Sequence, residues 1–226
     1  MGVRACRRAG VLGALLLAAL SRPAAAQVNG DSVLDRAVAA FQQVTTLRAD
    51  FVQRLRDPML GTDDSSRGEF LQQRPNKVAM RWREPAGDML VVDGQTLWVY
   101  LPSSTPGQVV RSDIEGRPGR SPDVVAEFLE RPRERFTITY VKSEAVGSRM
   151  ADVLQFVPKQ QDNAAYRRVQ IWVDRQDAVP RQVEIHEVSG AVRRITFDRM
   201  RINAAIPARM FTFTPPPGMR VVDATR

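Results

Sequence analysis

Residues 68–102, GEFLQQRPNKVAMRWREPAGDMLVVDGQTLWVYLP, combine three tight turns with a heavy apolar load, and that combination fits an antiparallel β-meander. Arg74-Pro75-Asn76 and Pro85-Ala86-Gly87-Asp88 break the chain twice. Asp93-Gly94 then supplies the dipeptide that two-residue hairpins favour, because their centre needs positive φ. Alternation places Val78, Met80 and Trp82 on one face of a strand and Lys77, Ala79, Arg81 and Arg83 on the other. The meander thus has an apolar side and a charged side. Trp98 and Tyr100 point opposite to Leu97 and Val99, so that strand reads as buried on both faces.

The amino terminus reads as an address. Arg4, Arg7 and Arg8 precede an apolar run over residues 11–20, and Ala24-Ala25-Ala26 offers the small residues of a cleavage site before Gln27. The run is shorter than the roughly 20 apolar residues that span a bilayer, so residues 1–26 are expected to be a bacterial export signal. Residues 27–226 are expected to form one soluble domain. Cys6, the single cysteine, goes with the signal, which excludes disulfides, thiol catalysis and thiolate metal sites from the mature chain. Losing Arg4, Arg7, Arg8 and Arg22 and no acid brings the formal charge from +8 to +4. The remaining arginines are scattered among acids, and an exported chain does not meet nucleic acid. The surplus suits a solvated surface, anionic headgroups or an acidic protein partner.

Downstream, Leu34, Val38, Phe41 and Val44 or Leu47 recur near the helical period over residues 31–47, with Asp31 or Ser32 as N-cap. A strand is expected at 49–55, a polar turn region at 57–66 and, after the meander, a Gly/Pro/Ser-rich connection at 103–121 with a short strand at 108–111. Ser121-Pro122-Asp123 opens a short second helix that presents Val124, Val125, Phe128 and Leu129. Strands follow at 136–146, 151–157, 166–174, 180–188 and 192–200. About ten or eleven strands against two helices predict a mainly β, α+β architecture, a strongly twisted antiparallel sheet curled around the helices. No fixed-period repeat or low-complexity tract interrupts it.

Three stretches in one order carry a family resemblance: Arg74-Pro75-Asn76 after Gly68, residues 93–100 (DGQTLWVY) before Pro102, and residues 211–216 (FTFTPP) before Gly218 and Asp223. Together they resemble LolA, the periplasmic lipoprotein carrier family of Gram-negative bacteria, over the whole mature chain. The resemblance implies an unclosed, highly curled antiparallel β-barrel with a helical lid over an apolar cavity. It implies a monomer that takes triacylated lipoproteins from an inner-membrane ABC transporter and gives them to the outer-membrane receptor LolB. It also assigns to Arg74 the task of holding the lid shut through hydrogen bonds to helix backbone, and suggests an extra strand or extension after Pro215. Val78 departs from the family pattern, standing where an aromatic residue is expected, while Trp82 supplies aromatic bulk further along the same face.

From spacing alone, the plainer reading of Arg74 is a turn arginine in a surface ion pair worth at most about 1 kcal/mol. The candidate acyl-chain-binding set is Leu34, Val38 and Phe41 on the first helix, Val78, Met80 and Trp82 on the strand, and Val124, Val125, Phe128 and Leu129 on the second helix. Ordinary core explains each of these equally well; methionine and the loose neighbouring connection favour a cavity. Arg81, Arg83 and Arg111 are candidates for a docking surface at its mouth. His186, the single histidine, shares a polar face with Gln182 and Glu184. The chain shows no nucleophile elbow, zinc-protease motif or phosphate loop, so no catalytic, metal or cofactor site is expected. A sensor of the RseB type for lipidated or lipopolysaccharide-like ligands, a carrier of another envelope lipid and, last, an enzyme acting on an apolar substrate are the alternatives.

Overall fold

The computed structural model describes residues 2, 29–114, 125–162 and 164–224. Helix α1 (Gly30–Gln43) is followed by strands β1 (Thr46–Asp57), β2 (Thr62–Gln73), β3 (Lys77–Glu84), β4 (Met89–Val92), β5 (Thr96–Tyr100) and β6 (Gln108–Asp113). Two single-turn helices, α2 (Ala126–Leu129) and α3 (Pro132–Arg135), lead into β7 (Phe136–Val146), β8 (Arg149–Pro158), β9 (Tyr166–Asp174), β10 (Pro180–Glu187) and β11 (Val192–Ile202). A 3-10 turn (Ala208–Phe211) and β12 (Arg220–Asp223) close the described chain.

The twelve strands form one sheet in the order β12-β6-β5-β4-β3-β2-β1-β11-β10-β9-β8-β7. Every neighbouring pair is antiparallel except β12 with β6. The two edge strands do not pair with each other, so the curled sheet stays unclosed, and α1 and α2 lie in its concave side. This is the mainly β architecture that the strand-to-helix proportion and the resemblance imply.

Helix α1 turns Val33, Leu34, Ala37 and Phe41 inward, and they join the core with Phe51, Phe70, Phe128, Phe156, Ile171 and Phe197 from the sheet and α2. Its N-cap is Asn29, whose Oδ1 accepts from the Asp31 amide at 3.0 Å, in place of the expected Asp31 or Ser32. The helix ends at Gln43 because Val44 takes an extended backbone; Leu47 belongs to β1, where it alternates inward with Ala49 and Phe51. The polar stretch expected as turn contains the start of β2, with Thr62 to Ser66 paired to Asp57 through Gln53. The Asp93-Gly94 hairpin forms one residue later than expected: the Asp93 amide donates to the Thr96 carbonyl at 3.2 Å, which centres the turn on Gly94 and Gln95, with φ +119° at Gly94. The expected leader and the segment Ser121 to Val124 of the second helix lie outside the described residues, apart from Gly2.

The charged side of the meander is covered. Phe211 is buried against Leu71, Ala79 and Val91, and Phe213 packs 5.8 Å from the rings of both Trp98 and Tyr100. Arg81 donates to the Met210 carbonyl at 3.0 Å. The chain after the last long strand therefore wraps across the convex face, and β12 then adds to the sheet edge. β5 is half-buried on both faces for this reason.

Candidate functional site

Two helix ends meet at one side chain. A helix leaves its last carbonyls without intrahelical donors and carries partial negative charge there. Arg74, in the turn between β2 and β3, sits at that end of α1: its guanidinium donates to the Phe41 carbonyl at 2.9 Å and lies 4.3 Å from the centre of the Phe41 ring. Its other side faces Glu130, the residue that ends α2, at 3.9 Å. The Arg74 amide is fixed by the Thr45 carbonyl at 2.9 Å, so the turn itself is anchored beneath the lid. One guanidinium thus links the sheet to α1 and α2, using donors fixed in a plane and a charge that cannot be lost.

Further links tie the lid together. Arg133 on α3 donates to Asp35 at 2.6 Å and to Asp31 at 3.2 Å, both on α1. Arg135 donates to the Glu127 carbonyl at 2.6 Å and to its Oε1 at 2.5 Å, while the Tyr166 hydroxyl donates to the same oxygen at 3.1 Å. Burial, then the Glu127 charge and hydrogen bond, push the Tyr166 hydroxyl well above the usual phenol range, so it remains a neutral donor. Phe128 meets the rings of Tyr166 at 5.4 Å, Phe136 at 5.9 Å and Phe156 at 6.4 Å, which seats α2 on β7, β8 and β9.

Beside this lid lies a cavity of about 1000 Å³, at the upper end of the roughly 300–1,000 Å³ usual for ligand pockets. Leu55, Met80, Trp82, Leu90, Phe128 and Ile195 form much of its apolar wall. Ser65, Ser66, Ser103, Ser104, Glu187 and Arg193 supply polar lining. Gly68 makes part of this wall possible: a Cβ there would fall 2.1 Å from the Arg81 carbonyl oxygen, so only glycine lets β2 approach β3 at the bulge. Trp82, paired with Gly68, then meets Phe51 edge-on at 5.5 Å, and its indole N–H is satisfied by Ser66 Oγ at 3.2 Å. The apolar part of this wall suits hydrocarbon, and of the carboxylates in the lining Asp88 accepts from Ser103, Glu127 from Arg135 and Tyr166, and Glu187 from Arg193.

The structure divides the expected lining set. Met80, Trp82 and Phe128 border the cavity. Leu34, Phe41, Val78, Val125 and Leu129 are buried in the contact between lid and sheet, with Val38 half-buried against it. Val124 is outside the described residues. None of Arg81, Arg83 and Arg111 borders the cavity; the latter two pair with Asp50 and Asp223 at 2.7 Å on the outer surface. Gln53, Leu55, Leu90, Val99, Leu101, Ile185 and Ile195 also line the wall without having been singled out. Period-two alternation with Phe51, Val183 and Phe197 puts Gln53, Leu55, Ile185 and Ile195 on the inner face; sequence does not say which inner residues the curl leaves uncovered. Among the described residues there is no group of three metal-ligating side chains, and no helix is long and apolar enough to cross a membrane.

Residues 42–214 match the family described as outer membrane lipoprotein carrier protein LolA, and the chain belongs to that family. An outer-membrane lipoprotein carrier protein of Chromobacterium violaceum is 30% identical over 178 residues, covering 79% of this chain and 81% of the relative. One of Bordetella pertussis is 26% identical over 216 residues, 96% of this chain and 97% of the relative. A solved structure of an uncharacterized conserved protein from Thermus thermophilus shares the fold, with TM-score 0.54 at 12% identity over 86% of this chain and 98% of that one.

Proposed function

We propose that this chain is a periplasmic lipoprotein carrier that accepts outer-membrane-destined lipoproteins from an inner-membrane ABC transporter, shields their acyl chains and gives them to the receptor LolB. The observation that supports it most is the cavity of about 1000 Å³ beside the helical lid, with much of its wall apolar, in a chain of the LolA family. The physical need is plain. Each methylene moved out of water is worth roughly 0.8 kcal/mol, so one sixteen-carbon chain resists leaving a membrane by about 12 kcal/mol. A carrier must match much of that and still release downhill.

Arg74 supplies the adjustment in this reading. A closed, empty lid has its own satisfied contacts, and cargo binding must displace them, which lowers net affinity by the free energy of opening. Met80, Trp82 and Phe128 are the first acyl contacts. Leu34, Val38, Phe41, Val78, Val125 and Leu129 become available as the lid lifts, their mutual contacts replaced by hydrocarbon. Incubation of the mature protein with proteoliposomes holding a labelled triacylated lipoprotein and the ABC transporter tests the proposal. A soluble one-to-one complex that passes cargo to LolB-bearing membranes is expected. Extraction of a different lipid, with the lipoprotein left in the membrane, would move the function to another envelope ligand.

A further inference from the structure

The convex side of the sheet holds a second depression, of about 1010 Å³, that acyl transport does not use. Alternation separates the two sites: Gln53, Leu55 and Ile195 line the cavity, while Val52, Arg54, Arg194 and Thr196 line the depression. Its floor is the seam between β1 and β11. A smaller adjoining hollow, sharing Asp50, Arg83 and Arg199, extends it to Arg48 and Arg201.

Pairing along this seam runs against the usual rule. Register sets Arg48 opposite Arg201 and Arg54 opposite Arg194, and like charges directly across a ladder oppose stability. Glu69 relieves Arg48 at 2.6 Å and Glu184 relieves Arg194 at 2.6 Å. Among the described residues, the side chains of Arg54 and Arg201 have no ion-pair or hydrogen-bond partner. Between them Asp50 is shared by two guanidinia, Arg83 and Arg199. Val52 lies between the two arginine pairs and is 45% exposed. Arg54 lies six positions along the strand from Arg48, the residue opposite Arg201, about 20 Å at the usual rise.

We infer that this seam is a docking surface for an extended acidic segment of a partner protein, with carboxylates at its two ends on Arg54 and Arg201 and an apolar side chain over Val52 between them. The depression also presents Asp50, Asp177 and Asp198, which would repel a continuous layer of anionic headgroups. A peptide can place its carboxylates at the two arginine sites and leave the acidic stretch uncontacted. The inference does not depend on the acyl-carrier reading, because the surface faces away from the cavity.

The test uses the mature chain and a fluorescein-labelled peptide of about ten residues with aspartates six positions apart and a valine two positions from one of them, so that all three side chains share one face of an extended chain, in roughly 0.1 M salt, where charges act over about 10 Å. An isomer with all its acids adjacent serves as comparison. Anisotropy should show the spaced peptide binding better than the isomer, and amide shifts should concentrate at residues 50–56 and 192–201. The double variant Arg54→Glu/Arg201→Glu should weaken binding at least tenfold. It should melt no lower than the parent, since each glutamate faces an arginine. Arg168→Glu/Arg220→Glu, exposed positions elsewhere with the same net change, should weaken binding less than threefold. Uptake of an acylated peptide into the cavity should be equal in all three proteins, so failure of that uptake would count against the carrier reading alone. The inference is overturned by absence of binding to the parent, by equal losses in the two double variants, or by preference for phosphatidylglycerol vesicles over the peptide.

Discussion

Replacement of Arg74 by leucine isolates the free energy that holds the lid. The guanidinium makes one charged hydrogen bond to the Phe41 carbonyl at 2.9 Å and stacks on its ring at 4.3 Å. A hydrogen bond to a charged group contributes about 1.5–3 kcal/mol, and a cation over an aromatic face about 0.5–1 kcal/mol at an exposed site. The pair with Glu130, long at 3.9 Å and 58% exposed on the carboxylate side, adds less than about 1 kcal/mol. Leucine restores part of the apolar contact with Phe41, so the closed lid should lose about 2–3 kcal/mol. Apparent affinity is the open-state affinity multiplied by the fraction of molecules whose lid is open. At tenfold per 1.4 kcal/mol, Arg74→Leu should therefore bind a fluorescent acylated peptide about 30–150-fold more tightly, and release it to excess liposomes correspondingly more slowly. Amide exchange in α1 should accelerate in the empty variant by a similar factor, because the same contacts hold the helix down. Arg74→Lys, which keeps charge and loses the planar fork, should fall between. Affinity and release within about threefold of the parent, with the fold intact, would refute the idea that Arg74 opposes opening.

Three further outcomes follow from the framework. Gly68→Ala forces a Cβ to 2.1 Å from the Arg81 carbonyl, a backbone atom that cannot turn aside; a loss above about 2 kcal/mol in urea unfolding is expected, and a neutral effect would contradict the close approach. Phe211→Ala opens a hole over Leu71, Ala79 and Val91 and should cost about 3–5 kcal/mol, read as a melting temperature lower by roughly 6 °C or more; a drop under 2 °C would mean the carboxy-terminal wrap adds little. Asp174 is fully buried; burial pushes its carboxyl up, but hydrogen bonds from Arg149, the Gln176 amide and Arg181 outweigh this and hold it at about 2. Its depressed value means that it stabilises the fold above the usual carboxylate range, by about 2 kcal/mol, and that this is lost as pH falls from about 4 through 2. Asp174→Asn should thus destabilise the protein at pH 7 and much less at pH 2.5, whereas an equal loss at both would contradict the ion-pair account.

Sequence was most informative where one face of an element is buried. The 3.6-residue stripe of Leu34, Val38 and Phe41 marked α1, and the alternation of Val78, Met80 and Trp82 marked β3, because each pattern follows directly from the element's geometry. Leu47 fitted two periods at once, the last turn of a helix and the first inward position of β1, so the boundary was set by the extended backbone at Val44. Residues 62–66 gave no strand signal: they are polar and mostly exposed, paired to the outer half of β1 where neither face is covered. The cavity was harder for a different reason. Val78 and Met80 are two residues apart on one face, yet one is sealed beneath the lid and the other borders the cavity. That distinction depends on how strongly twelve strands curl, a property of the whole sheet. Arg74 was legible only through its setting among family motifs, since its partner Phe41 lies 33 positions away.

Where hydrocarbon goes on binding is the central point, and photochemical mapping addresses it directly. A triacylated lipopeptide bearing a diazirine midway along one chain would be loaded, irradiated and its adducts located by mass spectrometry. The account predicts labels on Met80, Trp82, Leu90, Phe128 and Ile185, all in the cavity wall, and heavier labelling of the same residues in Arg74→Leu at limiting ligand. Labels confined to outward-facing Val52, Val141 or Val188, or to the exposed hairpin tip at Met59 and Leu60, would place the acyl chains elsewhere and contradict it.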